Sequence, residues 1–169
     1  SYSYYKLGWC YELSGNDETA LKYYNQGIEN DPTPIAWIYL MRGEMYQKKG
    51  NYELARSDFN QILLIDKIVD DDSCREYALH FLGHDNYALQ WMNRLIEYNP
   101  RDPGVYYDKA CLCARMNLIE ESNEALEIAF DKGYREFAHI EHDDDLDPIR
   151  NTSKFKETIA KYNAIYQNE

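Results

Sequence analysis

The sequence has little of what interrupts, cross-links or anchors a protein chain. Its 169 residues include only eight glycines, five prolines and four cysteines. No stretch approaches the roughly 18 uninterrupted apolar residues that a membrane-spanning helix needs, and no signal peptide is recognisable. We therefore expect neither a transmembrane protein nor a disulfide-rich scaffold. The length is sufficient for one domain with a substantial hydrophobic core.

Positive charge is scarce as well. Eighteen lysines and arginines stand against 30 aspartates and glutamates, which gives a net charge of −12. Binding to nucleic acid requires a clustered excess of basic side chains, and anionic membranes attract polybasic segments. We therefore expect a partner that is neither a nucleic acid nor a membrane.

A repeat at a spacing of 33 to 35 residues dominates the sequence. Each copy has two amphipathic stretches separated by a turn, and most stretches carry a small residue at a fixed place. These small residues are Gly8, Gly43 and Ala110 in the first stretches, and Ala20, Ala55, Ala88 and Ser122 in the second. A period of about 34 residues with this arrangement resembles the tetratricopeptide repeat.

The resemblance implies an all-α, right-handed superhelical solenoid of about four helix-turn-helix units. We expect the repeats at about 1–34, 35–68, 69–102 and 103–134, followed by a helical cap over 135–169. The third repeat departs from the pattern, because Glu76 falls where a small residue belongs. A shift of two residues would place Ala78 there instead, so the register of that helix stays open.

The segment after the repeats resembles the end-of-group cap that closes many bacterial tetratricopeptide arrays. In that cap a leucine, a proline and a phenylalanine dock onto the last helix pair, and the matching residues are Leu146, Pro148 and Phe155. An array needs such a terminator because its final hairpin would otherwise expose an apolar face.

Arg42 and Asp58 match a common bacterial variant of the repeat in which arginine and aspartate meet across the hairpin. The alternative is two separately solvated charges. The four cysteines are expected on first helices as buried free thiols, which favours a reducing, cytoplasmic compartment. The chain begins at Ser1 without methionine, which indicates a piece of a longer protein and leaves an upstream signal open.

No catalytic or metal-binding pattern is convincing. The acidic run from Asp143 to Asp147 lacks the central glycine and distal glutamate of a calcium loop. His80 and His84 have the spacing of zinc ligands, but the glutamate of a zinc-protease helix is missing between them. The sequence shows no glycine-flanked serine and no glycine-rich phosphate loop. We therefore expect no catalytic residues, no metal and no cofactor, and hence no enzyme.

In the resembling family, the first helices line a concave surface that holds peptides. The inward positions imply a peptide-binding surface of Tyr2, Tyr5, Trp9, Glu12, Trp37, Leu40, Glu44, Tyr77 and Tyr107, with Gln47, Asp70, Ser73, His80 and Cys111 as further members. The lysine, asparagine and arginine clamp of chaperone-binding members is absent, since Tyr5, Trp9, Met41, Asp70 and Cys74 take those places. The acidic chaperone tail is therefore not an expected ligand.

These features predict a non-catalytic protein–protein interaction module or scaffold. Its aromatic and acidic groove would bind a peptide or helix that carries apolar anchors and some positive charge. The alternative is a regulatory or substrate-docking segment of a larger enzyme whose catalytic domain lies outside this sequence. The partner, the pathway and the oligomeric state stay open.

Overall fold

The structure is a computed structural model that describes residues 2–65 and 74–167. Over these two ranges the secondary structure is helical, with no strand, which confirms the all-α class. No helix within them is long and apolar enough to cross a membrane.

The first eight helices follow one another as four helix-turn-helix pairs. They are α1 (Tyr2–Leu13), α2 (Asp17–Glu29), α3 (Ala36–Lys48), α4 (Tyr52–Leu64), α5 (Arg75–Phe81), α6 (Asp85–Tyr98), α7 (Pro103–Arg115) and α8 (Ile119–Asp131). The cap contains α9 (Phe137–His142), a 3₁₀ turn (Asp144–Leu146), α10 (Asp147–Arg150) and α11 (Ser153–Tyr166).

A residue with left-handed backbone geometry makes the turn inside each of the four helix pairs. The φ angles are +75° at Gly15, +76° at Gly50, +80° at Gly83 and +59° at Asn117. Glycine adopts this region without steric cost, and asparagine tolerates it better than most other residues. The turn expected between the two stretches of each repeat is therefore present in all four pairs, and in the fourth Asn117 takes the place of glycine.

Small residues permit the close approach of paired helices. A Cβ atom added at Gly8 would collide with the ring of Tyr24, and one added at Gly43 would lie 2.6 Å from the ring of Phe59. Ala78 is fully buried in α5, but Glu76 is buried as well, so both candidate residues lie inside the protein.

The chain divides into two compact units, and the division falls between Trp91 and Met92, within α6. In the first unit, a core cluster of Ala20, Tyr24, Ile38 and Met45 joins the first helix pair to the second. Tyr24 lies beneath Gly8, so this cluster also fixes the position of α1.

The second unit has its own core between α7 and α8. Ser122 is fully buried, and its hydroxyl donates a hydrogen bond of 2.7 Å to the carbonyl oxygen of Ala110. The cap packs on this pair, since α10 contacts both α7 and α8 and α11 contacts α8. Leu146 and Phe155 are buried as expected, whereas Pro148 is exposed. Pro148 lies in the first turn of α10, where proline favours helix initiation, so its docking role was predicted wrongly.

The outer side of α1 differs from its expected environment. Cys10 is exposed although it was expected to be buried, and Leu7 is 44% exposed. No described element covers that side of α1. The equivalent of Cys10 in the second helix pair is Met45, which is buried in the core cluster. All four cysteines are free thiols, as expected.

Candidate functional site

Two aromatic side chains of α1 are exposed to solvent. Tyr2 is 58% exposed and Trp9 is 42% exposed, whereas Tyr5 is half-buried. The rings of Tyr2 and Tyr5 lie with their centroids 6.1 Å apart, and the ammonium of Lys6 lies 4.7 Å above the Tyr2 ring. The rings of Tyr2, Tyr5 and Trp9 therefore present apolar surface on a helix that the core holds in place. We call Tyr2, Tyr5, Trp9 and Glu12 the α1 surface.

Glu12 is held at this surface by two other helices. The buried Tyr24 hydroxyl donates a hydrogen bond of 2.9 Å to Glu12 Oε2, and Lys48 Nζ lies 3.5 Å from Glu12 Oε1. Burial raises the pKa of Tyr24, and the Glu12 carboxylate raises it further, so the phenol stays protonated and continues to donate. The Glu12 carboxylate is thereby fixed in orientation.

The three residues of α3 that were expected in the peptide-binding surface differ in their exposure. Trp37 and Glu44 are half-buried, but Leu40 is only 1% exposed. The Trp37 ring packs against Tyr77 of α5, with centroids 6.3 Å apart and planes 49° apart. Tyr77 is itself 5% exposed. Leu40 and Tyr77 are core residues because neighbouring helices cover them, so neither belongs to an accessible binding surface.

Tyr107 belongs to the second unit and is also buried, at 4% exposure. Its hydroxyl donates a hydrogen bond of 2.6 Å to Asp143 Oδ2, and its ring stacks on Tyr134 at 4.3 Å. Burial raises the pKa of Tyr107. Tyr107 therefore connects α7 to the cap instead of contributing to an exposed groove.

The further members of the expected groove have separate outcomes. Asp70 and Ser73 lie outside the described residues. His80 Nδ1 lies 2.8 Å from Asp85 Oδ1, and Gly83 ends the helix before His84, so the two histidines do not share a helical face. Cys111 is buried. Gln47 lines a different cleft, which is described below.

One cluster has the composition of a metal site. The Cys111 thiol and the Asp143 and Asp145 carboxylates have ligand atoms within 4.8 Å of one another. Each carboxylate already accepts hydrogen bonds from the protein. Asp143 accepts from the Tyr107 hydroxyl and from a backbone amide, and Asp145 accepts from the Arg115 guanidinium 2.6 Å away. Burial raises the pKa of the Cys111 thiol well above its usual value, and the charge of Asp143 raises it further. A raised thiol pKa opposes ligation by the thiolate. This network joins α7 to the cap.

The sequence interpretation missed Leu13 and Lys48. Leu13 is 71% exposed next to Glu12, and Lys48 approaches Glu12 from α3. The sequence did indicate that Leu13 is exposed, because Lys48 is the residue of the second repeat that corresponds to Leu13. A charged residue at a repeated position indicates that the position lies at the surface.

Comparisons with known proteins identify the repeat. Sequence models of the tetratricopeptide repeat match residues 1–34 and residues 38–68. A chloroplastic protein of Arabidopsis thaliana is 30% identical over 63 residues, which are 37% of this chain and 19% of that protein. The chain thus spans about a fifth of that relative's length.

A solved structure is also similar, though loosely. It is YrrB, described as a TPR protein with an unusual peptide-binding site. The identity is 20%, the coverage is 96% of this chain and 84% of that one, and the TM-score is 0.45. A similarity of this size carries no argument about the binding site of the present chain.

Proposed function

We propose that the first unit, in which residues 1–34 and 38–68 match the tetratricopeptide repeat, binds a peptide or a helix through the α1 surface. These repeats form non-catalytic interaction modules, and the matches point to no enzyme family. The observation that carries the proposal is the exposure of Trp9 on a helix whose position is fixed by Tyr24.

The exposed aromatic side chains supply the driving force. A tryptophan or tyrosine buries a large amphipathic area while few torsions are frozen. Such residues are over-represented among those whose truncation costs most in an interface. Trp9 has the larger ring and retains 42% of its surface for a ligand, so it is the principal anchor. Tyr2 and Tyr5 extend the apolar contact along α1.

The second helix pair contributes the neighbouring part of the surface. Trp37 and Glu44 of α3 are half-buried and so retain surface that a ligand can contact. Leu40 and Tyr77 support this part from within the core and make no direct contact. The binding residues that we propose are therefore Tyr2, Tyr5, Trp9, Glu12, Trp37 and Glu44.

The charges define the partner further. Lys48 already pairs with Glu12 beside the aromatic side chains, so attraction of a cationic partner rests mainly on the protein's net charge of −12. An acidic surface attracts cationic partners and raises their association rate. The ligand is therefore an extended peptide or helix in which lysine or arginine flanks a large apolar residue.

A peptide-phage selection tests this proposal. The protein is immobilised, a random twelve-residue library is applied, and bound phage are eluted and sequenced. We expect enrichment of peptides that combine a large apolar residue with lysine or arginine, and loss of that enrichment on the Trp9→Ala protein. Enrichment that is identical on wild-type protein and on Trp9→Ala would contradict the proposal.

A further inference from the structure

The first unit also contains a cleft that is separate from the α1 surface. It is a cleft of about 490 Å³ between α4, the end of α3 and the turn that joins α5 to α6. A volume of this size is typical of ligand-binding clefts. None of the residues in the proposed peptide-binding surface lines it. We call it the α4 cleft.

The floor of the α4 cleft is apolar. Phe59 and Phe81 stack with ring centroids 4.7 Å apart and planes 10° apart, and Phe59 is only 2% exposed. Ala55 is also buried, and the half-buried Leu63 and Leu82 complete the apolar lining. Phe59 and Ala55 support this floor from within the core, so a large apolar side chain would contact the half-buried Phe81, Leu63 and Leu82.

Among the described residues, basic and neutral polar side chains line the α4 cleft, whereas the whole protein is acidic. The lining contains the exposed Arg56 together with Asn60 and His84, and no aspartate or glutamate among the described residues lines it. This contrasts with the 30 acidic and 18 basic residues of the chain. No carboxylate in the described ranges forms an ion pair with Arg56. An exposed guanidinium above an apolar floor favours a ligand that carries a carboxylate.

An unpartnered polar atom also points to a ligand. Gln47 lines the α4 cleft, and its Oε1 atom is buried without a hydrogen-bond partner among the described residues. Buried polar atoms are nearly always hydrogen-bonded in folded proteins. Because this atom is buried, a ligand N–H reaches it only after the Gln47 side chain rotates into the cleft, and the backbone amide of a peptide is such a donor.

We propose that the α4 cleft is a second peptide-docking site, which binds a segment where a large apolar side chain stands next to aspartate or glutamate. The apolar side chain packs on the accessible parts of Phe81, Leu63 and Leu82, the carboxylate pairs with Arg56, and a peptide N–H donates to Gln47 Oε1 once that side chain turns into the cleft. This preference is opposite in charge to that of the α1 surface, so the two sites take different segments.

Nuclear magnetic resonance titration of the full chain tests the inference. The probe is N-acetyl-Asp-Phe-amide, and its two control probes replace Asp by Asn or Phe by Ala. We expect the side-chain amide signals of Asn60 and Gln47 to shift with the first probe. Loss of the carboxylate should weaken binding about three- to fivefold, which is the scale of an exposed ion pair. Unshifted side-chain amides, or equal binding of all three probes, would overturn the proposal.

Charge reversal separates recognition from a merely structural effect. Arg56→Glu should reverse the preference, so that N-acetyl-Lys-Phe-amide binds more tightly than N-acetyl-Asp-Phe-amide. Arg56 is exposed, so the variant is expected to fold, and its circular dichroism verifies this. Arg101→Glu, at another exposed arginine, should leave the preference unchanged. A preference that Arg56→Glu does not alter would overturn the assignment of Arg56 to the carboxylate.

Discussion

Arg42 and Asp58 join the two helices of the second pair through a bidentate ion pair. Arg42 Nε lies 2.8 Å from Asp58 Oδ2, and Arg42 Nη2 lies 2.6 Å from Asp58 Oδ1. The remaining nitrogen, Nη1, donates a hydrogen bond of 2.7 Å to Asn25 Oδ1 in α2. One guanidinium thus connects three helices. The pairing expected from the sequence is confirmed, and the alternative of two solvated charges is wrong.

Replacing one partner of this pair is expected to destabilise the protein. Asp58 is 2% exposed, so Asp58→Asn leaves the Arg42 guanidinium partly buried beside a neutral amide. Breaking a buried pair costs about 3–5 kcal/mol, and we expect the lower end because Arg42 retains 18% exposure. Urea denaturation measures the loss.

A surface ion pair provides the matched control for Asp58→Asn. Asp17 pairs with Lys49 at 2.9 Å, and both side chains are substantially exposed. Asp17→Asn should therefore change the free energy of unfolding by less than about 1 kcal/mol. Equal effects of the two substitutions would show that the buried pair has no special role.

Gly43 is expected to tolerate no side chain. A Cβ atom there would lie 2.6 Å from Cε1 of Phe59, which is buried and cannot move freely. Gly43→Ala should therefore lower the free energy of unfolding by about 1–3 kcal/mol, although alanine has the higher helix propensity. Thermal unfolding compares it with Ser57→Ala at an exposed position of α4. A melting temperature that rises in Gly43→Ala would contradict this packing.

Glu76 should make stability depend on pH. Burial raises the pKa of its carboxyl from 4.5 to about 7, and its Oε2 has no hydrogen-bond partner among the described residues. The folded state then binds more protons than the unfolded state between these values, so stability falls as pH rises from about 4.5 to 7. The loss for this group is about 3 kcal/mol.

Comparing Glu76→Gln with wild type isolates this contribution. Glutamine stays neutral, so the variant should gain stability over wild type between pH 5 and pH 8 in urea titrations. Glu53→Gln changes an exposed carboxyl of α4 and should follow the wild-type curve. Parallel curves for wild type and Glu76→Gln would refute the raised pKa.

Leu146 should stabilise the docking of the cap on the second unit. It is fully buried, and Leu146→Ala removes about 2–5 kcal/mol of packing. Pro148 lies two residues away and is exposed, so Pro148→Ala should change stability little. Protease resistance of the cap, followed by mass spectrometry, should fall in Leu146→Ala alone. Equal cleavage in both variants would show that Leu146 does not hold the cap.

Local chemistry made part of this structure predictable. The left-handed geometry of the four turn residues, among them Asn117, can be predicted from their residue types, because few residue types adopt this geometry. The pairing of Arg42 and Asp58 was predicted from the resemblance to a bacterial variant of the repeat. The burial of Tyr77 was not, because it depends on how Trp37 packs against it. Tyr107 hydrogen-bonds to Asp143, 36 residues away, and no short pattern encodes that contact.

The affinity of the Trp9→Ala variant tests the central claim most directly. A peptide from the phage selection is titrated by isothermal calorimetry into wild-type protein, Trp9→Ala and Lys22→Ala, which alters an exposed lysine of α2. Truncating an anchoring tryptophan costs about 2 kcal/mol or more, so the dissociation constant of Trp9→Ala should rise roughly thirtyfold. Lys22→Ala should bind as wild type does. If Trp9→Ala is folded by circular dichroism and still binds as tightly as Lys22→Ala, the α1 surface is not the binding site.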